Sequence, residues 1–108
     1  MLASEACEAL RSGRVLRIRH ERRDRWVEVH AVGKDRQGHE VMRVFQIRGG
    51  DIESEAVGWR LIRLKEADKP RPTKEASGAP RTGYRKDDRD MSEIYEQVRG
   101  IRFPPRGH

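Results

Sequence analysis

Four short segments of alternating or β-branched residues, separated by turns, dominate the middle of this chain. They cover residues 15–20, 26–32, 41–47 and 57–64, and charged or glycine-rich stretches lie between them. Short strands at even spacing, with turn signals between them, are typical of an antiparallel meander that closes into a small barrel. The alternation of strands with long helices that marks a parallel α/β sheet is missing. The sequence therefore predicts a mainly β fold.

A short helix is predicted before the first strand. Over residues 2–12 the apolar side chains recur at helical spacing, Ser4 is a suitable N-cap, and Gly13 is a suitable end. With the strands, this helix makes up a predicted N-terminal region of residues 1–67. The remaining residues, 68–108, carry less apolar material and form a second predicted region.

The second region is predicted to contain an extended strap and a helix. Prolines at 70, 72 and 80 exclude a helix interior or a central strand, so residues 68–90 are expected to cross the barrel as a strap. Residues 91–99 place four apolar side chains at i, i+3, i+4 and i+7, preceded by a capping-box spacing and followed by Gly100. This pattern predicts a helix that docks on the barrel or on a partner, since it is too short to be stable alone. The four apolar residues are Met91, Ile94, Tyr95 and Val98.

The charge balance favours a polyanionic partner. The 108 residues include 24 basic and 18 acidic ones, for a net charge of +6, and arginine far outnumbers lysine. The arginine guanidinium forms paired hydrogen bonds with phosphates and stacks on bases. A merely soluble, arginine-rich surface explains the same balance, so both interpretations stay open.

Catalysis and metal binding are not expected. Cys7, the single cysteine, lies on the apolar helix face, where an inert thiol is usual, and no internal disulfide can form. His20 and His30 on neighbouring strands supply too few ligands for a metal site. Gly49 and Gly50 lack the lysine and helix of a phosphate loop. No leader or membrane-spanning stretch is recognised, so we expect a cytoplasmic protein without a cofactor or a membrane.

Residues 13–66 resemble the bacterial WYL domain. Residues 27–33, Val-Glu-Val-His-Ala-Val-Gly, are similar to a V-E-P-H-A-L-G run of the family, and residues 60–64 are similar to its R-T-F-R-L strand. The tripeptide that names the family is absent near residues 39–41, and no helix-turn-helix precedes the strands. The chain therefore resembles a divergent, stand-alone member. The resemblance implies an SH3/Sm-like barrel and a regulator that binds a nucleotide or nucleic acid.

Basic residues within the predicted strands are the candidate site. Arg17 and Arg19 alternate with apolar residues, which places both on one strand face. Arginines at 43, 60 and 63 sit among apolar neighbours and need an anion to be tolerated there. Tyr84 could stack on a base or pin the strap. The predicted binding residues are His30, Arg43, Arg60, Arg63, Arg17 and Arg19, with Tyr84 as a stacking group.

Two functions follow from this site and fold. The first is a non-catalytic regulatory module that binds nucleic acid or a nucleotide-like anionic ligand. The alternative is a protein–protein interaction module, such as a small adaptor or an inhibitor encoded by a mobile element. Edge strands of a small barrel also offer a route to a homo-oligomer.

Overall fold

The computed structural model describes residues 1–50 and 56–99 and confirms a mainly β protein with a short N-terminal helix. Its strands form one antiparallel sheet. The elements are α1 (Ala3–Ser12), β1 (Arg14–His20), β2 (Arg23–Lys34), β3 (Glu40–Gly49), β4 (Gly58–Arg63), a 3-10 turn (Leu64–Glu66), β5 (Ala67–Ala76) and β6 (Glu93–Gln97).

The sheet does not close, so the predicted barrel is wrong in this respect. The strand order is β4-β3-β2-β1-β5, and β6 pairs with β2 outside this path. The 3-10 turn joins the two end strands, β4 and β5, yet these strands are not hydrogen-bonded to each other. Pro70 and Pro72 in β5 lack backbone N–H groups, so β5 cannot form a full second ladder.

The core lies between α1 and one face of the sheet. Ala6 and Ala9 of the helix pack with Leu16, Val27 and Met42, all of them buried. The helix begins two residues earlier than Ser4 would place it, because Leu2 holds the N-cap position and its N–H donates to Glu5 at 2.7 Å. Gly13 ends the helix with a left-handed φ of 64°, as predicted.

The prolines of the predicted strap do not prevent a strand. Residues 67–76 form β5, which pairs only with β1 and is therefore an edge strand, the position that tolerates proline. Residues 77–92 are largely irregular and cross the face of the sheet opposite α1.

The predicted helix over 91–99 is wrong, since residues 93–97 form β6. β1 covers β2 only as far as Val27, which leaves the edge of Ala31–Lys34 for β6. A nine-residue helix has too few internal hydrogen bonds to compete with this ladder. Gly100, expected to end the helix, lies outside the described residues.

A bulge at His30 shapes the middle of β2. Val29 is opposite Val44 and Ala31 is opposite Arg43, so His30 is the extra residue. The bulge keeps Val32 in the core although it is an odd number of residues from Val29. Glu28 and His30, two residues apart, are both buried on the face away from the helix.

Candidate functional site

A buried carboxylate on β2 holds the segment that crosses the sheet. Glu28 is 1% exposed, and its two oxygens accept from Arg81 Nε at 2.6 Å and Arg81 NH2 at 2.9 Å. The backbone N–H of Gly78 donates to the same group at 2.5 Å. Burial raises the pKa of Glu28, but these hydrogen bonds outweigh it and leave the pKa below its ordinary value.

His30 is a second anchor for the same segment. Its Nε2 accepts from the backbone N–H of Arg81 at 3.0 Å, which leaves Nδ1 to donate to the carbonyl of Glu28 at 2.9 Å. Burial lowers the pKa of His30, so the ring is neutral in this tautomer. Both ring nitrogens of this predicted ligand-binding residue are therefore used within the chain.

Aromatic rings surround these anchors. His30 contacts Trp59 edge-on at a centroid distance of 4.6 Å and Tyr84 at 5.2 Å. Trp59 also packs edge-on against Phe45 at 5.3 Å, and the Arg81 guanidinium lies 5.2 Å from the Phe45 centroid. The predicted stacking residue Tyr84 thus lies beside His30, and its hydroxyl donates to the carbonyl of Val98 at 2.5 Å.

Arg43 binds carboxylates of the chain itself. Its Nε donates to Asp88 at 2.7 Å and its NH2 donates to Asp90 at 2.6 Å. The anion that the sequence predicted for Arg43 is therefore supplied by two carboxylates of the same chain. This pairing fixes the end of the crossing segment over β3.

The structure does not bring Arg60 and Arg63 to one site. They lie three positions apart on β4, which places them on opposite faces of the strand. Arg60 is half-buried opposite Val44, whereas Arg63 is exposed opposite Val41.

A row of basic residues around one tryptophan crosses the sheet near the other predicted residues. Arg71 of β5 is opposite Arg17 of β1, Arg17 is opposite Trp26 of β2, and Trp26 is opposite Arg48 of β3. The guanidinium carbons of Arg17 and Arg48 lie 5.4 Å and 5.1 Å from the Trp26 ring centroid. We call these four residues, Arg71, Arg17, Trp26 and Arg48, the basic row.

The basic row carries exposed counter-ions that a ligand can displace. Arg17 pairs with Asp24 at 2.9 Å and Arg48 pairs with Glu75 at 2.6 Å. Arg19 lies beside the row and is 3.6 Å from Asp24, so it shares the face of Arg17 as predicted. Exposed pairs of this kind stabilise a fold by only about 0–1 kcal/mol, so exchanging a carboxylate for a phosphate costs little.

Sequence reasoning found Arg17 and Arg19 in this area but missed the other members. Alternation within β1 predicts that its two arginines share a face. Trp26, Arg48 and Arg71 join them only through the register of paired strands, which local sequence patterns do not report, and Arg71 is 54 residues from Arg17.

The remaining candidate groups for nucleophilic or metal chemistry are the single cysteine and the metal-ligating side chains. Cys7 is buried in the core, and burial raises the pKa of its thiol, which disfavours the reactive thiolate. Within residues 1–50 and 56–99, no cluster of three histidine, cysteine or carboxylate side chains could hold a metal ion. The described part of the chain also has no helix long and apolar enough to cross a membrane.

Comparison with known proteins gives no relative. No protein-family model, curated protein or solved structure matches the chain. The resemblance to the WYL domain stays a prediction.

Proposed function

We propose that this chain is a non-catalytic regulatory module that binds nucleic acid through the basic row. The observation that carries the proposal is the alignment of Arg71, Arg17 and Arg48 around Trp26 across four neighbouring strands. Adjacent strands are about 4.8 Å apart, so the row presents three guanidinium groups along a line of about 15 Å.

Phosphates suit the cations of the row. Each guanidinium can donate two parallel hydrogen bonds to phosphate oxygens, and its charge replaces a condensed counter-ion of the polymer. Arg17 and Arg48 have side chains that are 42% and 50% exposed, so a ligand can reach both. The net charge of +6 adds a long-range attraction.

The tryptophan suits a base. Trp26 is half-buried, so the strands fix its ring while part of it faces solvent. Stacking of a base on an aromatic side chain contributes about 1–3 kcal/mol and tolerates any sequence. A single-stranded nucleic acid offers both unstacked bases and phosphates, so we take it as the preferred ligand.

The strand order supports an SH3/Sm-like arrangement as the finer description of the fold. Five strands run β4-β3-β2-β1-β5 after an N-terminal helix, and a 3-10 turn joins the two end strands. Small β folds of this size bind oligonucleotides on a sheet face. The proposed WYL-like relationship points to the same class of ligand.

Fluorescence anisotropy with labelled single-stranded RNA, single-stranded DNA and duplex DNA tests the proposal. Each probe is titrated with the full chain at low and near-physiological salt. We expect tightest binding to a single strand, and affinity that falls steeply as salt rises. Replacing Arg17, Arg48 and Arg71 together with alanine should weaken binding at least tenfold and flatten the log–log salt slope by about 2, given about 0.7 per phosphate contact on single strands.

A matched control separates the row from general charge. Arg36, Arg63 and Lys65 are exposed cations outside the row, and their triple alanine variant removes the same net charge. This variant should lose much less affinity than the row variant. Equal losses in the two variants, or no binding by the wild-type chain at low salt, would contradict the proposal.

A further inference from the structure

A cleft of about 550 Å³ lies between β4 and the segment that crosses the sheet. The aromatic rings of Trp59 and Tyr84 line it on one side, and the turn over residues 85–90 lines it on the other. None of its lining residues belongs to the basic row, so we call it the aromatic cleft and treat it as a separate site.

The two rings of the aromatic cleft are arranged to receive a flat group. Their planes differ by 26° and their centroids are 6.4 Å apart. The two rings therefore form one nearly parallel aromatic surface in the wall of the cleft, on which a planar ring can stack.

Both rings are held in place without a ligand. Trp59 Nε1 donates to the carbonyl of Thr82 at 3.3 Å, and the Tyr84 hydroxyl donates to the carbonyl of Val98. The buried ring of His30 contacts both of them from within the sheet. Gly83 lets the backbone approach Trp59 closely, since a Cβ there would lie 3.0 Å from Nε1. A ligand therefore meets a preformed surface and pays little ordering cost.

The rim of the cleft supplies positive charge that the fold does not use. Arg85, Lys86 and Arg89 are exposed, and none of them forms an ion pair with residues 1–50 or 56–99. The neighbouring acids are engaged: Arg43 binds Asp88 and Asp90. The remaining acid, Asp87, exchanges two hydrogen bonds with Gln97 at 2.9 and 3.0 Å.

We propose that the aromatic cleft binds a mononucleotide, with its base stacked on Trp59 and Tyr84 and its phosphate held by the rim cations. A planar ring that carries an anionic group is the one ligand chemistry that uses both halves of the site. The cleft of about 550 Å³ shares no residue with the basic row, so variants can test the two binding activities separately.

Isothermal titration calorimetry of the full chain with adenosine, guanosine, cytidine and uridine monophosphates tests this site. Adenosine, titrated separately, reports the contribution of the two aromatic rings, and inorganic phosphate reports the contribution of the rim cations. We expect at least one monophosphate to bind, and to bind at least tenfold more tightly than adenosine or phosphate. Phosphate that binds as tightly as the nucleotides would overturn the stacking role, and no binding of any nucleotide at millimolar concentration would overturn the site.

Variants locate the binding on the cleft. Replacing Arg85 and Arg89 with alanine changes only exposed side chains, so it should preserve the fold and weaken the monophosphate at least tenfold while leaving adenosine unchanged. Tyr84→Ala should weaken the binding of both the nucleotide and the nucleoside. Circular dichroism checks that this variant is folded. Lys65→Ala with Lys74→Ala, which removes two exposed cations outside both the aromatic cleft and the basic row, should leave nucleotide affinity unchanged. A nucleotide affinity that is the same in wild type and Arg85/Arg89 variant would contradict the assignment.

Discussion

Glu28 and Arg81, which are 53 residues apart in the sequence, form a two-point ion pair on the face of the sheet opposite the helix. The carboxylate is buried, whereas the arginine side chain is 41% exposed. The pair joins the middle of β2 to the segment that crosses the sheet and lines the aromatic cleft.

Replacing Arg81 with methionine should destabilise the protein by about 2 kcal/mol. It leaves the buried Glu28 charge with the Gly78 N–H as its remaining donor. Loss of one partner of a wholly buried pair costs about 3–5 kcal/mol, and the exposure of Arg81 lowers this figure. Urea unfolding at neutral pH measures the change. Arg48→Met, which breaks an exposed pair on the same face, should leave the midpoint nearly unchanged; equal effects would contradict the special role of Glu28.

Protonation of His30 should weaken the fold. Its pKa lies below the ordinary 6.5 because the ring is buried, so the unfolded chain binds the proton more readily. Stability is therefore complete above pH 6.5 and falls as the pH drops below it, by at most about 1.4 kcal/mol per pH unit for one group. Unfolding curves from pH 8 to pH 5 test this. His30→Gln should have a flatter profile than His20→Gln, since His20 is less buried; identical profiles would show that another group titrates.

Carboxylates should govern stability at lower pH. The pKa values of Glu28 and Asp88 lie below their ordinary 4.5 and 3.8, because arginine hydrogen bonds outweigh burial. Their contribution is present above those values and is lost as the pH falls through the folded pKa. Glu28→Gln should reduce the dependence of unfolding free energy on pH between pH 5 and pH 3. An unchanged dependence would place the acid sensitivity elsewhere.

Asp88→Asn should release the end of the crossing segment without unfolding the sheet. Asp88 accepts two hydrogen bonds from Arg43, at 2.7 and 3.2 Å, and an asparagine cannot accept both or supply the charge. Hydrogen exchange should accelerate over residues 88–92 and stay slow in β1–β3. Asp87→Asn is the control, since its side chain retains an oxygen for Gln97. Unchanged exchange over residues 88–92 would show that other contacts hold the turn.

Gly33→Ala should detach β6 from β2. A Cβ at this position would lie 2.1 Å from the carbonyl oxygen of Glu93. Because this atom belongs to the backbone, the clash cannot be relieved by rotating a side chain. Overpacking of this kind typically costs about 1–3 kcal/mol. Loss of amide protection over residues 93–98, measured by hydrogen exchange, is the expected result. Lys34→Ala, at the next position, should keep that protection, and retention of protection in Gly33→Ala would contradict the close approach.

The local patterns of the sequence account for α1 and β1–β4. The helix shows its apolar periodicity within a few residues, Gly13 ends it where expected, and β2, which is buried on both faces over residues 27–33, is marked by its β-branched valines. β5 was harder to predict, because proline argues against a strand unless the strand is known to lie at an edge. Whether a strand lies at the edge depends on the order of strands in the sheet, and local sequence patterns do not report that order.

The spacing of Met91, Ile94, Tyr95 and Val98 suits a helix, yet these residues lie in and around β6. β1 is too short to cover the whole edge of β2, and β6 pairs with the part left open, between residues 59 to 66 positions apart. The contacts of the candidate site could not be predicted for the same reason, since they join residues far apart in the sequence. No local pattern indicates that Arg81 hydrogen-bonds to Glu28 and His30, or that Asp88 hydrogen-bonds to Arg43.

The prolines of β5 make the two ends of the sheet unequal. Within the described residues β4 has β3 as its only strand neighbour and contains no proline, so it can accept another strand, whereas β5 cannot form a full ladder with one. Head-to-tail stacking of copies, which would join a β4 to the next β5, is therefore disfavoured, because each junction would need a full ladder on β5. A two-fold pair through β4 is the contact between copies that these two edges favour, and such a pair leaves no β4 edge open for further strands.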